Sequence, residues 1–529
     1  MQGPATFTER ELAAEIERFD FPERFLFGTA TSGYQSEGGF NGPEDPKNNW
    51  YYVERDGSME KTGPSSRFWD LYDQDLDLAA AIGCNGFRLG IEWSRIQPEA
   101  DPEARTPPPF EPSALDRYAE ILAGCKRRGM EPVVTLFHFT HPLWLGLDPW
   151  LDRERMHDCF LAYVEHAVRE LNERLIARHH TSPLSYYITI NEPAMVPLAS
   201  YLLRVHPRGK GKRGRGDFSP AFENILLAHV QAYERIHGVH REKGWPRPVV
   251  TMNNWASAAY PADSLILDIL HGPAKGVTRE GFPAYLRERK RSWDGLLRQS
   301  PGKLRQTRTQ RATEKLMTFL IGRRLGNPPL PDLTNAVLAN PPAAPWLDVL
   351  SFDYYDPFIG DYLEARPPFR LHLKKDPWEW DTVPEGLGSF LDAYTALAGS
   401  GRPLHILENG MSYACRDGKG EPRPDGANRV QVLKAHLLEC IRARNRGRRL
   451  EAYFYWTLFD NYEWGSFVPR FGMLAVDYAH GAKRSPLDAA GNNAAGAYRA
   501  IVKAFFARDR QLLKEAFLAD RYPLLFPAV

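Results

Sequence analysis

The chain has 529 residues, of which 43% are hydrophobic, so it is long enough to bury a large core. Its 67 basic and 66 acidic residues leave a formal net charge of +1. This balance argues against a nucleic-acid-binding protein, which would use a general positive field to attract phosphates. We therefore expect a small-molecule ligand and no nucleic acid.

The five cysteines are widely scattered and include no C-x-x-C pair, a common spacing in metal and redox sites. We interpret them as free thiols in a reducing compartment, and we expect neither a metal nor a cofactor. The amino-terminal stretch mixes acidic and basic residues and lacks the apolar core of a signal peptide. Because no apolar run reaches the roughly 18 residues of a membrane span, we expect a cytoplasmic protein.

Eight short runs rich in β-branched and aromatic residues follow one another along the chain. Most are apolar nearly throughout, which is typical of strands covered on both faces, as in a parallel sheet wrapped by helices. They are FLFGTAT (from Phe25), GFRLGIEW (Gly86), EPVVTLFHF (Glu131), SYYITINE (Ser185), PVVTMNNW (Pro248), LDVLSFDYY (Leu347), PLHILENG (Pro403) and EAYFYWTLFD (Glu451). These runs predict eight buried strands.

Helical stretches lie between these runs, for example Asp116–Gly129 and Asn428–Gly447, and both end with basic residues and a glycine. Eight alternations of strand and helix predict an α/β fold, a closed (β/α)8 barrel of the TIM type. Because 529 residues is long for one barrel, we expect a single domain, 1–529, with long loop insertions. The predicted additions are a basic insertion at about 256–345 and a carboxyl-terminal extension at about 508–529.

One segment of the predicted insertion is strongly basic. Between Arg287 and Arg324 it holds twelve Lys or Arg residues and three acidic residues. Such a segment could dock on an acidic partner or a membrane surface. We favour the simpler interpretation, a solvated basic helical insertion whose charge is balanced by acidic residues elsewhere.

In a barrel of this type, the carboxyl ends of all strands meet at one mouth, where the site is built. These ends are polar in this sequence. The predicted third, fourth, sixth and seventh strands end in His138, Asn191 and Glu192, Asp353 and Tyr355, and Glu408, and the eighth leads to Trp456, Glu463 and Trp464. Glu408 follows an apolar strand directly, where a buried carboxylate costs free energy unless it has partners, so a functional role is favoured.

Two carboxyl groups from different strands, together with aromatic rings and neutral hydrogen-bonding groups, suit the cleavage of a glycosidic bond. One carboxyl group must be protonated to assist the leaving oxygen, and the other must be ionised to attack the sugar carbon. Tryptophan rings offer flat apolar surfaces to a sugar ring, and polar side chains bind its hydroxyl groups. Taken singly, His138 and Trp456 are more often buried core residues.

From about Phe21 to about Arg484, the sequence resembles the family 1 glycoside hydrolases, the retaining β-glucosidase family. The resemblance rests on FPERFLFGTATSGYQSEGG, FRLGIEWSRIQP, TLFHFTHPLWL, ITINEP, HILENG and WTLFDNYEW. NEP or ENG alone occurs often by chance, but the whole set, in this order and at strand ends, is specific. The resemblance implies an enzyme that hydrolyses β-glycosides.

The resemblance assigns roles to two carboxyl groups. Glu192 in ITINEP matches the family's acid/base, and Asn191 beside it holds the sugar 2-hydroxyl. Glu408 in HILENG matches the nucleophile, and Arg88 lies beneath it. The implied reaction is double displacement with retention, in which Glu408 attacks the anomeric carbon and Glu192 first protonates the leaving oxygen and then activates water.

The resemblance also assigns sugar-binding roles. Gln35 and His138 bind hydroxyl groups, Trp456 lies under the ring, and Glu463 and Trp464 bind distal hydroxyls. Relatives that act on phosphorylated sugars lack the acid at the position of Glu463, so an unphosphorylated substrate is implied. Three more residues are expected beside the substrate or in support of it: Tyr355, Asn253 and Phe471.

The sequence departs from the family pattern at four places. Phe139 replaces the usual Trp after the sugar-binding His, which keeps a ring but loses an N–H donor. Asp353 replaces the usual Asn of the sixth strand, and it either raises the pKa of Glu192 by repulsion or carries a proton itself. Leu407 stands where Thr is common, and the loop 464–470 is slightly shorter than usual.

Two other functions stay open. An acceptor alcohol could compete with water for the intermediate, which would make the protein mainly a transglycosylase. Alternatively, the departures at Phe139, Asp353 and the shortened loop could have disabled catalysis in a sugar-binding relative, although the intact Glu192 and Glu408 pair argues against this. The glycone stays open among glucose, galactose, fucose and mannose, and so does the oligomeric state.

Overall fold

The computed structural model describes residues 7–99, 106–203, 215–300, 308, 311–312, 330–339, 345–357, 363–366, 370–373, 376–399 and 401–527. Eight parallel strands form a closed barrel. In chain order they are β1 (Leu26–Ala30), β2 (Gly86–Gly90), β3 (Glu131–Thr135), β4 (Tyr186–Asn191), β5 (Val249–Trp255), β6 (Leu350–Tyr354), β7 (Leu404–Asn409) and β8 (Leu450–Trp456). Neighbours in sequence pair with each other, and β1 closes the barrel by pairing with β8. The predicted (β/α)8 barrel is confirmed.

The apolar character of the strands reflects burial on both faces. Every residue of β2, β4, β6 and β7 is buried. One face points into the barrel, where an inner cluster contains Val133, Leu407, Phe454 and Trp456. Phe454 fills this space so closely that a Cβ atom added at Gly28 would lie 2.3 Å from its ring. The opposite faces of the strands pack in a much larger core under the helices.

Helices connect the strands and cover the outside of the barrel. The longer ones are Phe68–Ile82, Pro112–Arg127, Arg153–Ala177, Arg215–Glu242, Phe282–Arg298, Pro384–Ala398, Arg429–Asn445 and Ala494–Phe506. Both helices predicted as examples are present, with slightly shifted bounds. The first begins at Pro112 after a Glu111 cap, and the second begins after Asn428, whose side chain accepts a hydrogen bond from the Val430 N–H.

Smaller elements fill the connections. Short helices lie at Glu9–Glu17, Gly33–Ser36, Tyr51–Arg55, Trp93–Ile96, Ser264–His271, Pro331–Ala339 and Arg510–Leu518, and a π-helix lies at Pro197–Leu203. Antiparallel pairs join Leu363–Arg366 to Arg370–Leu373, Tyr413–Arg416 to both Lys419–Gly420 and Pro469–Arg470, and Val476–Asp477 to Lys483–Arg484. These pairs belong to connections that leave the carboxyl ends of β6, β7 and β8, so they build out the mouth of the barrel.

Several strands end earlier than the sequence predicts, and the ends of β3 and β4 matter most for the site. β3 ends at Thr135, so His138 lies in the following loop. β4 ends at Asn191, and Glu192 has a positive φ of 38°. A positive φ interrupts extended backbone and re-aims the side chain. The apolar runs therefore continue past the sheet as loops that line the mouth.

The predicted insertion lies only partly within the described residues, which include 287–300, 308 and 311–312 of the basic segment 287–324. Arg289 in this segment forms an ion pair with buried Asp268 at 2.7 Å. At the other end of the chain, Phe517 packs its ring against Phe7. The domain bounds and the interpretation of the basic segment as a solvated insertion stay predictions. Within the described ranges, no helix is long and apolar enough to cross a membrane.

Candidate active site

The register of the sheet places four predicted residues side by side at the mouth. Asp353 on β6 is the register partner of Glu408 on β7, and Asn191 on β4 is the register partner of Asn253 on β5. All four side chains are buried, with at most 4% of each residue exposed. Polar groups buried this deeply need partners, and they find them in one another and in Arg88.

Arg88 on β2 lies at the centre of this cluster, and its side chain is completely buried. Its Nη1 donates a hydrogen bond to Glu408 Oε1 at 2.7 Å, and Nη2 donates to Asn191 Oδ1 at 2.6 Å. Nε donates to Thr135 Oγ1 at 3.1 Å, so groups on three strands orient the guanidinium. Arg88 therefore supplies one fixed positive charge to the site.

Glu408 accepts hydrogen bonds on both carboxyl oxygens. Arg88 binds Oε1, and the Tyr355 hydroxyl donates to Oε2 at 2.9 Å. Burial raises the pKa of Glu408 above 4.5, and the charge of Arg88 and the two hydrogen bonds offset only part of this rise. Burial and the charge of Glu408 raise the pKa of Tyr355 well above 10, so its hydroxyl keeps the proton that it donates. Both donors favour the ionised form of Glu408.

Glu192 lies in a different environment, although it also faces the mouth. Its N–H donates to the Asn253 carbonyl at 2.7 Å, and only 7% of the residue is exposed. Burial, followed by the negative charges of Glu408 and Glu463, raises the pKa of Glu192 well above 4.5, and Arg88 opposes this shift. Burial raises the pKa of both carboxyl groups, but it raises that of Glu192 further, so Glu408 is the one that ionises more readily and Glu192 the one that keeps its proton.

Aromatic and polar side chains form a wall beside the carboxyl groups. Trp456 Nε1 donates to Glu463 Oε1 at 2.8 Å, and the His138 ring stacks on Trp456 with centroids 5.7 Å apart. Burial lowers the pKa of His138 well below 6.5, so the imidazole is neutral. Burial raises the pKa of Glu463 to about 8, although hydrogen bonds from Trp456 and Gln35 oppose this. This wall offers neutral donors and acceptors and a flat ring.

Phe139 and Trp464 extend this wall, with ring centroids 5.3 Å apart. Both residues have positive φ angles, 68° and 48°, which cost on the order of 1–3 kcal/mol each in bulky side chains. Together with Gln35 and His138, they line a cavity of about 30 Å³. A cavity of this size holds a water molecule or a group of similar size.

The sequence matches a known family model over most of its length. The model described as glycosyl hydrolase family 1 matches residues 17–277 and 364–501, which is well over half of the chain. The chain belongs to glycosyl hydrolase family 1. The family assignment predicted from the motifs is confirmed, and the protein is a glycosidase.

Curated relatives of this family 1 glycosidase carry different names. A β-galactosidase from Sulfolobus acidocaldarius is 28% identical over 524 residues, which cover 87% of this chain and 91% of the relative. A 6-phospho-β-galactosidase from Staphylococcus aureus strain COL is 25% identical over 481 residues, which cover 86% of this chain and 94% of the relative. The names therefore span both neutral and phosphorylated glycosides.

Solved structures of family 1 enzymes share the barrel. A β-glycosidase from Pyrococcus horikoshii is 25% identical, with a TM-score of 0.60 and coverage of 95% of this chain and 99% of that one. A β-glucosidase from Thermotoga maritima in complex with castanospermine is 21% identical, with a TM-score of 0.64 and coverage of 91% and 98%. These likenesses support the fold.

The residues predicted for the site of this family 1 chain are linked by a continuous set of hydrogen bonds and ring contacts. They are Gln35, Arg88, His138, Phe139, Asn191, Glu192, Asn253, Asp353, Tyr355, Glu408, Trp456, Glu463, Trp464 and Phe471. The sequence prediction therefore selects side chains that share one mouth. Their individual roles stay proposals.

Trp380 is an aromatic residue at the mouth that the sequence prediction does not include. Trp380 lies in the connection after β6, with its ring centroid 5.9 Å from that of Tyr355 and 6.5 Å from that of Phe471. The Arg423 guanidinium donates a hydrogen bond to its carbonyl. The sequence offers one indication that Trp380 lies at the mouth. It comes shortly before a helix that begins at Pro384, and connections from strand to helix line the mouth of such barrels.

The structure explains why Leu407 can stand where Thr is common in the family. Its side chain is buried in the inner cluster with Trp456 and Phe471, so it contributes packing inside the barrel. Its carbonyl accepts a hydrogen bond from Arg88 Nη1 at 3.1 Å. Because this is a backbone group, any residue at position 407 could accept the same bond. The replacement of Thr by Leu therefore leaves the support of Glu408 in place.

Proposed function

We propose that this family 1 glycosidase hydrolyses β-glucosides or related β-D-glycosides with retention of configuration. The observation that carries the proposal is the contrast between Glu408 and Glu192. Arg88 and Tyr355 donate hydrogen bonds that stabilise the Glu408 carboxylate, whereas burial and negative neighbours favour a proton on Glu192. Retaining glycosidases need this division between an ionised nucleophile and a protonated acid.

The proposed reaction has two displacements. First, a Glu408 oxygen bonds to the anomeric carbon while the glycosidic C–O bond breaks, and Glu192 gives its proton to the leaving oxygen. Second, the Glu192 carboxylate takes a proton from water, the water oxygen bonds to the anomeric carbon, and the bond to Glu408 breaks. Glu192 then carries a proton again, and two inversions return the original configuration.

We propose an unphosphorylated glycone. The wall residue Glu463, which the family resemblance places at the distal hydroxyls, is a carboxyl group that accepts from Trp456 Nε1. A carboxyl group offers no positive charge to a sugar phosphate, which is bound by Arg, Lys or clustered N–H donors. Rates on nitrophenyl β-D-galactoside and on its 6-phosphate test this. Faster hydrolysis of the phosphorylated substrate would overturn the proposal.

The first experiment compares wild type, Glu408→Gly and Glu192→Gln on β-linked nitrophenyl glycosides of glucose, galactose, fucose and mannose. We expect Glu408→Gly to lose at least about a thousandfold in rate and Glu192→Gln about 10²–10⁴-fold. Glu421→Gln, at an exposed ion pair with Arg416, is the control and should keep the wild-type rate. Normal turnover by Glu408→Gly would refute the nucleophile assignment.

The stereochemistry of the product provides an independent check. Proton NMR during hydrolysis should show the β anomer of the released sugar first, with the α anomer growing only by mutarotation. An α anomer at the earliest times would contradict double displacement. Products with added alcohol measure transglycosylation, and sugar binding without turnover by a folded wild type would favour the sugar-binding alternative.

We also propose a cytoplasmic location. All five cysteines are free, and four of them are buried. Unpaired thiols are usual in reducing compartments, whereas secreted proteins more often form disulfides. Fractionation of cells that express the protein at its natural level would test this, and recovery outside the cytoplasmic membrane would overturn it.

A further inference from the structure

Asn253 and Asp353 lie side by side near the ends of β5 and β6, and both side chains are completely buried. Asn253 Nδ2 donates a hydrogen bond to Asp353 Oδ1. In the described part of the chain, the other oxygens of this pair, Asn253 Oδ1 and Asp353 Oδ2, have no hydrogen-bond donor. Buried polar atoms without a partner are uncommon and costly, so two of them in adjacent side chains call for an explanation.

The orientation of the Asn253 amide is fixed by its neighbours. Arg88 has only donors, so the Asn191 atom that it binds at 2.6 Å must be the oxygen. The Asn253 atom 2.9 Å from that oxygen must then be the nitrogen. Rotating the Asn253 amide by 180° would therefore break this bond, and Asn253 Oδ1 stays on the side without a donor.

Arg88 is a buried cation beside this pair. Arg88 Nη1 lies 2.7 Å from Glu408 Oε1 but 3.7 Å from Asp353 Oδ1, so Glu408 holds the closer contact. Five titratable or charged groups interact electrostatically with Asp353: Arg88, Glu408, Glu192, Tyr355 and Tyr394. Burial, followed by the charge of Glu408, raises the pKa of Asp353 well above 3.8, and Arg88 opposes this.

We propose that Asp353 is a neutral carboxylic acid in the working enzyme, and that its Oδ2–H donates to Asn253 Oδ1 and closes a two-hydrogen-bond acid–amide pair. A single proton then satisfies both oxygens that lack a donor, while Asn253 Nδ2 still donates to Asp353 Oδ1 and Asn191 Oδ1. An acid and a primary amide are complementary in this way, each offering one donor and one acceptor.

This protonation state supports Asn191 and Glu408, two groups that the proposed function uses. In that respect the inference rests on the proposed function. Asn253, held from one side by Asp353, orients Asn191 next to Glu192. When Asp353 is neutral, it does not compete with Glu408 for the positive charge of Arg88. Arg88 then stabilises the anionic form of Glu408, the proposed nucleophile. Asp353 is therefore a positioning residue with no predicted contact to the reacting atoms.

Stability as a function of pH tests the protonation state through Asp353→Asn, in which the new amide can donate to and accept from Asn253. A carboxyl group that stays protonated in the folded state, but ionises near 3.9 when unfolded, costs stability increasingly as pH rises. The melting temperature of Asp353→Asn, relative to wild type, should therefore rise between about pH 5 and pH 8. A constant or falling difference would overturn the inference.

Asp488→Asn is the matched control. Asp488 is buried like Asp353, but its carboxyl oxygens accept hydrogen bonds from Arg429 Nε, Ala490 N and Asn492 N. Asparagine cannot form the ion pair with Arg429, so this variant should have a lower melting temperature than wild type and should not gain on it between about pH 5 and pH 8. A gain equal to that of Asp353→Asn would mean that the effect is not specific to Asp353 and would overturn the inference.

Infrared spectroscopy gives a direct signature. The carbonyl stretch of a protonated carboxylic acid is separate from that of a carboxylate, and wild type minus Asp353→Asn should show one such band at neutral pH. Asp353→Ser provides the same subtraction if the Asn variant does not fold. A difference spectrum with only carboxylate bands would overturn the inference. Neither measurement depends on turnover, so the proposed function can fail without affecting this result.

Discussion

Trp456 Nε1 donates a hydrogen bond to Glu463 Oε1 across 2.8 Å, which ties the end of β8 to the loop that follows it. Both residues are buried, with 3% and 4% exposed. Gln35, in the connection after β1, hydrogen-bonds the Tyr462 carbonyl at 2.9 Å, next to Glu463. The wall that we assign to the sugar is therefore assembled from the connections after the first and last barrel strands, together with the loop after β3 that carries His138 and Phe139.

Glu463→Gln should gain stability relative to wild type as pH rises. Burial raises the pKa of Glu463 from 4.5 to about 8, so the folded protein keeps a proton that the unfolded chain loses above about pH 4.5. Wild type therefore loses stability between these pH values, whereas glutamine does not titrate and still accepts from Trp456. Urea unfolding at about pH 5 and pH 8 measures this. A gap that stays constant would contradict the raised pKa.

Tyr355→Phe should lower kcat/KM by about 10–100-fold and leave the fold intact. The variant removes the hydrogen bond to Glu408 Oε2, and hydrogen bonds to charged groups contribute about 1.5–3 kcal/mol. Tyr163→Phe is the control, because its hydroxyl binds the carbonyls of Ile91 and Leu136 away from the carboxyl pair. An equal loss of kcat/KM in both variants would assign the effect to packing.

Phe139→Trp should tighten glycone binding. The larger ring would occupy part of the 30 Å³ cavity beside Gln35 and His138, and its indole N–H would restore a donor. One neutral hydrogen bond is worth about 0.5–1.5 kcal/mol, so we expect KM to fall about two- to tenfold for at least one glycone. Steady-state kinetics on the nitrophenyl panel measure this. Unchanged KM values for every sugar would show that residue 139 does not set specificity.

Arg429→Ala should destabilise the protein by about 3–5 kcal/mol, because it leaves Asp488 buried without its ion-pair partner. Arg429 also donates to the Met411 and Arg470 carbonyls, which lie in the loops after β7 and β8. Arg416→Ala, which breaks an exposed ion pair, should cost about 1 kcal/mol or less. Equal costs in denaturant unfolding would contradict the structural role of Arg429.

The barrel could be predicted because its signal is repeated eight times. Strands buried on both faces must be apolar throughout, and β2, β4, β6 and β7 are buried at every position. The carboxyl pair could be predicted because an acid at the carboxyl end of such a strand has few structural explanations. The exact ends of the strands could not be predicted, because the positive φ angles of Glu192 and Phe139 depend on tertiary contacts.

Trp380 and the Asn253–Asp353 pair show what the sequence leaves open. Trp380 lies in a connection without periodicity, so nothing local predicts that its ring meets Tyr355 and Phe471. The contact between Asn253 and Asp353 depends on the register of β5 and β6, in which Asp353 pairs with Trp255. A register is a property of the closed sheet and has no signature within either strand.

Closure of the barrel also sets a time order for the appearance of the site. The bond from Gln35 to the Tyr462 carbonyl spans 427 positions, and the Thr457 hydroxyl reaches the Ala30 carbonyl over the same span. During synthesis, β1 therefore lacks one of its two neighbouring strands until β8 has left the ribosome. A nascent chain halted before Leu450 therefore has neither a closed barrel nor Trp456, so the site can form only after the eighth strand has been made.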